Sequence, residues 1–220
     1  MPHSETNSTR IARPLIRILI SEDHLIARAG IGAIINAQSD MKVIAEAING
    51  EEALMLYREH HPDVTLMDIR MPVMNGFEAV SAIRSEFPGA RIVALSTFGG
   101  DEDIRKAIGL GAQSFLTKDA AQDELIGAIR AVYAGEQYFP PSILATLASE
   151  PPNPNISARE VEVLHHMAAG LSNKEIAYQL GIAEDTAKNH VKNILRKLGA
   201  HDRTKAATEA IQRGIIHLPR

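Results

Sequence analysis

Five polar side chains in the first half of the chain each stand at or just after the end of a short apolar run. The run before Asp68 reads VTLM and is apolar enough to be a buried strand, so a carboxylate at its end needs an explanation. The carboxyl ends of parallel strands meet at one edge of a sheet, where ligands bind. We therefore expect five side chains to converge there: Glu22, Asp23, Asp68, Ser96 and Lys118.

The types of these residues indicate phosphoryl chemistry. Three carboxylates at one edge repel each other and favour a bound cation, and oxygen ligands with room for water are typical of Mg²⁺ sites. A carboxylate beside Mg²⁺ can accept a phosphoryl group, and Lys118 and Ser96 are suited to hold its oxygens. A lone Asp after a strand more often caps a turn, but five such positions together favour Asp68 as a phosphoacceptor.

The elements that must position this site alternate between strand and helix patterns. Asn49 is suited to cap the second helix. The alternation predicts an α/β fold, a doubly wound parallel sheet of five strands with helices on both faces. The predicted strands cover 16–20, 42–47, 63–68, 91–97 and 114–118, and the predicted helices cover 24–38, 50–60, 76–87, 99–111 and 121–135.

The composition excludes several classes of protein. Hydrophobic residues make up 45% of the 220 positions and charged residues 23%, as in ordinary globular proteins, and there is no cysteine. Disulfide frameworks, zinc–thiolate sites and thiol nucleophiles are thereby excluded. No uninterrupted apolar run approaches the roughly 18 residues of a membrane span, and residues 1–13 lack the apolar segment of a signal peptide. We expect a cytoplasmic protein with no membrane partner.

The charge divides the chain into two parts. Residues 1–155 contain 13 Lys/Arg and 20 Asp/Glu, whereas residues 156–220 contain 10 and 7, with five histidines (165, 166, 190, 201 and 217) whose spacing indicates no metal site. An acidic part joined to a basic part predicts two functions, the second on nucleic acid. The proline-rich PPNPN at 151–155 favours a linker. The predicted organisation is a disordered tail (1–14), an α/β domain (15–135), a linker with a short helix (136–155) and an all-α domain (156–220).

Helix-start and turn signals organise the basic part. Ser157–Glu160 and Ser172–Glu175 both fit the capping-box pattern that marks a helix start. Gly181 provides a turn before a third helix at 184–198. This order of helices and turns predicts a helix-turn-helix.

The third helix has an apolar side and a basic side. Its apolar residues recur at helical spacing at Ala187, Val191, Leu195 and Leu198. Lysine can contact guanine and asparagine can contact adenine in the major groove of DNA. An isolated basic face is more often simply solvated, but the place of this one in a helix-turn-helix favours DNA. The basic side carries Lys188, Asn189, Lys192 and Arg196.

The acidic part resembles the receiver domain of two-component response regulators, a flavodoxin-like fold. The resemblance rests on MDIRMPVMNG at 67–76 and on the 28- and 22-residue spacings from Asp68 to Ser96 and from Ser96 to Lys118. It implies that Asp68 accepts the phosphoryl group and binds Mg²⁺ with Asp23 and the backbone carbonyl of Arg70. The remaining implied roles are metal assistance by Glu22, a switch hydroxyl and a lysine at Ser96 and Lys118, and a switch aromatic at Phe115.

The basic part resembles the LuxR-type helix-turn-helix of NarL/FixJ response regulators. The matching segments are LSNKEIA at 171–177 and TAKNHVKNILRKLG at 186–199. The resemblance implies that a last helix at 203–213, capped by Asp202, forms the dimer contact on DNA. It also implies base contacts from Lys188, Asn189 and Lys192, and phosphate contacts from Lys174, Thr186 and Arg196.

The sequence departs from these families at four positions. Asp119 follows the lysine where many receivers have proline, and Thr97 is larger than the residue often found after the switch hydroxyl. Ala183 stands where a Ser or Thr helix cap is usual, which costs about 1 kcal/mol of helix stability. Ala187 replaces a larger valine. None of these changes removes a reacting group.

Both parts together predict a phosphorylation-regulated transcription factor rather than an enzyme. Its expected partners are a sensor histidine kinase, double-stranded DNA and, on activation, a second copy of the chain. One alternative is a phosphate-independent DNA-binding protein whose degenerate receiver serves for dimerisation. Another is a Mg²⁺-dependent phosphohydrolase, but such enzymes usually carry a second acid two residues after the nucleophile, where this chain has Arg70.

Overall fold

The computed structural model describes residues 15–148 and 156–217, and the first of these segments contains five parallel strands. Their spatial order is β2-β1-β3-β4-β5. β3 is buried at all five positions, as expected of a parallel strand covered on both faces. The predicted α/β fold is confirmed. The strands are β1 (Ile16–Ser21), β2 (Met41–Ala47), β3 (Val64–Asp68), β4 (Ile92–Ser96) and β5 (Ser114–Thr117).

Helices cover both faces of this sheet. On one face, α1 and α5 pack over fully buried Ile18, Ile20 and Leu66, and truncating such a side chain to alanine costs about 2–5 kcal/mol. On the other face, α2 and α3 pack over Leu19 and Met67, while α4 packs beside them over Phe115. The helices are α1 (Leu25–Asn36), α2 (Gly50–His60), α3 (Gly76–Glu86), α4 (Asp101–Gly109) and α5 (Gln122–Tyr133).

The predicted helix limits differ from the observed ones mainly at the ends. Asn49 caps α2 as predicted, since its side chain accepts a hydrogen bond from the Glu52 backbone N–H at 2.9 Å. α4 begins at Asp101, two residues later than predicted, and Gly100 is its extended N-cap. Local helix signals thus located each element, while terminal residues followed the packing.

A sixth helix follows the sheet. α6 (Pro141–Ala148) begins at a proline, which is favoured in a first helical turn. Its Ile143 is 4% exposed and packs with Ile104 and Ala107 of α4. The predicted tail at 1–14 and the PPNPN segment of the predicted linker lie outside the described residues.

The second described segment contains four helices around its own apolar core. Both predicted capping boxes are present, at Ser157/Glu160 and at Ser172/Glu175. Gly181 has φ 63°, a left-handed conformation that glycine adopts without strain. Ile194 is fully buried and belongs to the core side of the third helix, although the prediction omitted it. The helices are α7 (Ala158–Ala168), α8 (Asn173–Leu180), α9 (Glu184–Leu198) and α10 (Arg203–Gln212).

The two parts touch where α4 begins and α10 ends. The guanidinium of Arg213 donates two hydrogen bonds of 3.2 Å to the Asp101 carboxylate. The backbone N–H of Glu102 donates to the Arg213 carbonyl at 3.2 Å. A Cβ on Gly100 would lie 2.5 Å from the Arg213 carbonyl carbon, so this close approach requires glycine. In residues 15–148 and 156–217, no helix is both long and apolar enough to cross a membrane.

Candidate functional site

The acidic rim lies at the carboxyl edge of the sheet. Asp68 is the last residue of β3 and Ser96 the last of β4, whereas Lys118 directly follows β5. Parallel pairing brings these three strand ends level with one another. We use the name acidic rim for the predicted set of Glu22, Asp23, Asp68, Ser96 and Lys118.

Lys118 joins two carboxylates of the rim. Its Nζ lies 2.6 Å from Oε2 of Glu22 and 2.8 Å from Oδ2 of Asp68, and both acids have no exposed surface. The contact with Asp68 is a hydrogen bond. The contact with Glu22 is an ion pair without hydrogen-bond geometry, so in the described part of the chain Glu22 Oε2 accepts no directed bond. One cation between two buried carboxylates leaves a net negative charge, which favours a further cation.

The surroundings of Asp68 shift the pKa of its carboxyl group. Burial raises the pKa of this carboxyl, against the lowering effects of the Lys118 ammonium and of the Arg70 backbone N–H. That N–H donates to Asp68 Oδ1 at 3.0 Å. Arg70, whose carbonyl was predicted to bind the metal, is therefore held directly beside the nucleophile. A metal ion at this place would favour the ionised form that phosphoryl transfer needs.

The predicted switch residues occupy two different environments. Ser96 is fully buried, and its Oγ accepts a hydrogen bond from the Phe98 backbone N–H at 3.2 Å. Phe115 is also fully buried, but it packs in the apolar cluster under α4 with Ile104. Thr97 is exposed at the mouth of the rim. The structure therefore brings Ser96 to the rim and places Phe115 in the core behind it.

The rim has a donor set suited to a divalent cation. Glu22, Asp23 and Asp68, together with His24, can each direct one ligand atom so that all four atoms lie within 4.8 Å of one another. Carboxylate oxygens are the hard ligands that Mg²⁺ prefers. Sequence reasoning missed His24, although its position directly after Asp23 was a signal that could have indicated it.

The rim borders a cavity of about 920 Å³. Its lining includes Asp23 and His24 from the rim side and Ile211 and His217 from the helical part. A cation in solvent can therefore reach the rim through this cavity.

The predicted DNA-reading residues lie on the outside of the helical part. Ala187 is buried beneath α9, as predicted, and Ala183 makes no side-chain cap hydrogen bond. Lys188 pairs with Glu184 at 3.0 Å and with Asp185 at 3.3 Å, and hydrogen bonds to these acids raise its pKa. We use the name basic face for the four exposed residues Lys188, Asn189, Lys192 and Arg196; Lys174 and Thr186 are also exposed.

The basic face rests on an internal charge contact. Glu160 of α7 is 4% exposed and lies 2.6 Å from Lys197 of α9. Burial acts to raise the pKa of Glu160, but hydrogen bonds from Lys197 and from the Ser157 backbone and hydroxyl outweigh it and lower that pKa. The ionised carboxylate thus connects α7, the first helix of this part, to α9.

Comparison with known proteins identifies both parts. Residues 18–130 match the response regulator receiver domain, and residues 154–210 match the family of bacterial regulatory proteins of the luxR type. The transcriptional regulatory protein LnrK of Bacillus subtilis is 38% identical over 217 residues, covering 91% of this chain and 99% of LnrK. Response regulator protein VraR of Staphylococcus aureus is 34% identical over 206 residues, covering 91% and 99%.

Solved structures agree with these matches. The response regulator ChrA of a heme-sensing two-component system has 34% identity and a TM-score of 0.56, covering 92% of this chain and 99% of ChrA. RcsB of Salmonella typhimurium, at 22% identity, shares the fold with a TM-score of 0.60, covering 89% and 97%. The chain belongs to the LuxR-family response regulators, with a receiver and a LuxR-type DNA-binding domain. Its relatives are transcriptional regulators.

Proposed function

We propose that this protein is a transcription factor switched by phosphorylation of Asp68. A sensor histidine kinase supplies the phosphoryl group, Mg²⁺ assists its transfer, and the phosphorylated protein dimerises and binds specific DNA sequences. The observation that carries the proposal is the ion pairing of Lys118 with buried Asp68 and Glu22 at 2.8 and 2.6 Å. This arrangement supplies a nucleophile, a cation and residual negative charge in one place.

The phosphoryl step uses the residues of the rim. An Asp68 oxygen attacks phosphorus, forming an acyl phosphate as the phosphorus–nitrogen bond of the kinase phosphohistidine breaks. Asp23, Asp68 and the Arg70 carbonyl, with help from Glu22, would hold Mg²⁺, which would supply positive charge beside the oxygens of the transferring group. Lys118 then exchanges a carboxylate oxygen for a phosphoryl oxygen.

The switch follows from the new charge. A phosphoryl group adds about −1.5 to −2 at pH 7, and the Ser96 hydroxyl turns to donate to it. Ser96 Oγ accepts from the Phe98 N–H, so this turn loosens the segment between β4 and α4. Phe115 packs with Ile104 of α4 and repacks with that shift. The altered face made by α4, β5 and α5 favours a dimer.

The phosphoryl step is tested by intact-mass spectrometry after incubation with a small phosphodonor and Mg²⁺. We expect one phosphoryl adduct on the wild type and none on Asp68→Asn. Asp119→Asn is the matched control, since Asp119 is an exposed aspartate next to Lys118, and it should label like the wild type. An acid-labile adduct that persists in Asp68→Asn would refute the assignment. A wild type that labels neither with the donor nor with a histidine kinase indicates a degenerate receiver.

We propose that the basic face reads DNA. Its Lys188, Asn189 and Lys192 contact bases, Lys174, Thr186 and Arg196 contact phosphates, and α10 pairs the two copies on adjacent half-sites. The exposure of all six side chains supports this proposal, because contacts with DNA need no rearrangement of the core.

DNA reading is tested by selecting bound sequences from a randomised duplex library. We expect the wild type to enrich a motif, and Lys192→Ala to lose preference at one position with about 1–3 kcal/mol less discrimination. Lys42→Ala, an exposed lysine of β2, is the control and should enrich the wild-type motif. If Lys192→Ala weakens all sequences equally, Lys192 contacts phosphate rather than a base.

A further inference from the structure

His24 lies directly over the acids of the rim. Its Nδ1 is 3.2 Å from Oε1 of Glu22 and 3.2 Å from Oδ1 of Asp23. The His24 backbone N–H also donates to Glu22 Oε1 at 3.1 Å, which fixes the loop on which the ring is carried. His24 occupies the N-cap position of α1, but its side chain makes no cap hydrogen bond to that helix. The ring is therefore directed to the carboxylates instead of to the helix.

The two carboxylate oxygens of Glu22 contact different partners. Oε2 lies against Lys118, while Oε1 lies against His24. The imidazole thus approaches the acids from a different side than the ammonium and does not compete with it. The ring also lines the cavity that borders the rim.

The donor atoms are close enough to share one ion. One atom from each of Glu22, Asp23, His24 and Asp68 lies within 4.8 Å of the others. Ligands on opposite sides of an ion are about 4.2 Å apart when each bond is about 2.1 Å. Small side-chain shifts are therefore sufficient to bring the imidazole nitrogen and carboxylate oxygens onto one divalent ion.

We propose that His24 supplies a nitrogen ligand to the metal site of the receiver, so that the site prefers first-row transition-metal ions such as Mn²⁺ and Co²⁺ to Mg²⁺. This inference rests on the proposed metal-assisted function. Mg²⁺ is a hard cation that takes oxygen ligands, whereas imidazole suits transition metals, whose affinities rise from Mn²⁺ to Co²⁺ and beyond. Replacing one oxygen or water by imidazole therefore raises Co²⁺ affinity more than Mg²⁺ affinity.

The preference is tested by calorimetric titration of the full chain with Mg²⁺, Mn²⁺ and Co²⁺ separately. The informative variant is His24→Asn, whose amide oxygen takes roughly the place of Nδ1 and is a hard ligand. We expect this variant to lose Co²⁺ affinity on the order of tenfold, with Mg²⁺ affinity changed by less than about twofold. His201→Ala is the control, because His201 pairs with Asp202 on the surface of the helical part; it should retain the wild-type preference.

A spectroscopic signal separates ligation from positioning. Pulsed electron paramagnetic resonance of Mn²⁺ bound to the wild type should show coupling to a ¹⁴N nucleus, and His24→Asn should abolish it. Equal losses of Mg²⁺ and Co²⁺ affinity, or no nitrogen coupling in the wild type, would mean that His24 does not ligate the ion, and the inference would fall while the proposed phosphoryl function stands. A wild type that binds none of the three ions overturns the metal site itself and, with it, both proposals.

Discussion

The acidic rim and the basic face carry charge in opposite ways. In the rim, Asp68 and Glu22 are completely buried and share Lys118. On α9, Lys188 and Lys192 are exposed, and Lys188 pairs only with acids one helical turn before it in the described part of the chain. Buried charges are costly and need fixed partners, whereas exposed charges interact weakly and stay available.

This difference agrees with the two functions proposed for these regions. A covalent reaction needs a nucleophile and a cation held in position before the substrate arrives. Binding to a polyanion needs cations that can exchange water and counterions for phosphates and bases. The buried charges of the rim therefore lower the stability of the fold, whereas the exposed charges of the basic face lower it little. Three predictions test that contrast.

The largest stability effect is expected in the rim. Burial raises the pKa of Asp68, so ionised Asp68 destabilises the native state near neutral pH without divalent ions. Asp68→Asn removes that charge and leaves Lys118 paired with Glu22, and the free energy of unfolding should rise by as much as about 4 kcal/mol. Urea unfolding in a metal chelator measures it.

The sign of the pH dependence provides a second check on Asp68. Because its native pKa is raised above the unfolded value, the native state binds the proton more tightly, and wild-type stability gains as pH falls towards that pKa. The gap between wild type and Asp68→Asn should therefore shrink on acidification. Asp119→Asn should leave stability nearly unchanged; a destabilised Asp68→Asn would contradict the contrast.

An intermediate effect is expected at Glu160, which supports the basic face from inside. Glu160→Gln weakens the hydrogen bonds that its carboxylate accepts from Lys197 and Ser157. The free energy of unfolding of the helical part should fall by about 2 kcal/mol at pH 7. The variant is compared with wild type by urea unfolding followed by circular dichroism.

The pH dependence at Glu160 has the opposite sign to that at Asp68. The native pKa of Glu160 is lowered, so its contribution is present above the usual carboxyl pKa and is lost as pH falls through the native value. Glu162→Gln is the matched control in the same helix, since Glu162 is half exposed and pairs only with Arg159 in the described residues. An equal loss in both variants would show that Glu160 is no more important than a surface acid.

The smallest effect is expected on the surface of α9. Glu184→Gln with Asp185→Asn removes the acids beside Lys188, and affinity for non-specific duplex DNA should rise by roughly threefold at low salt. The gain should disappear as salt is raised, because exposed charges are screened. Fluorescence anisotropy over a salt series measures it. Glu136→Gln, which changes an exposed acid outside α9, should leave the affinity for DNA unchanged. A gain in affinity that persists at high salt would contradict the conclusion that the charges of the basic face are exposed and screened.

The sequence was sufficient to predict where the strands and helices lie and which residues stand at or near their ends. Strand alternation located Asp68 and Ser96 at or next to the ends of adjacent strands, two capping boxes located the starts of α7 and α8, and the predicted third helix at 184–198 has the bounds of α9. These signals are local, since the pattern that marks a strand end or a helix cap depends only on residues close to it in the sequence.

Contacts between distant residues could be predicted only in part, since the strand pattern brought Lys118 and Asp68 to one edge of the sheet but did not state which atoms would pair. Lys118 bonds to Asp68 across 50 positions, and Arg213 bonds to Asp101 across 112. No local pattern states which of several acids a cation will reach, because that choice depends on how whole elements pack. His24, the proposed nitrogen ligand, was missed for a related reason: its position directly after Asp23 indicates that it lies near the rim, but no local pattern states that its ring turns to the carboxylates.

The contact between α4 and α10 limits how freely the two domains of this chain can be exchanged. Asp103 is 1% exposed and contacts both Arg70, beside Asp68, and His217 of the helical domain, each at 3.3 Å. A chimera that joined this receiver to another LuxR-type domain would keep the Arg70 contact. If the new domain supplied no cation at the place of Arg213, Asp101 would lie buried and unpaired. That loss of its partner would lower the free energy of unfolding by about 3–5 kcal/mol. The receiver is thus a separate segment of the sequence, but its α4 surface is complementary to the helical domain of its own chain.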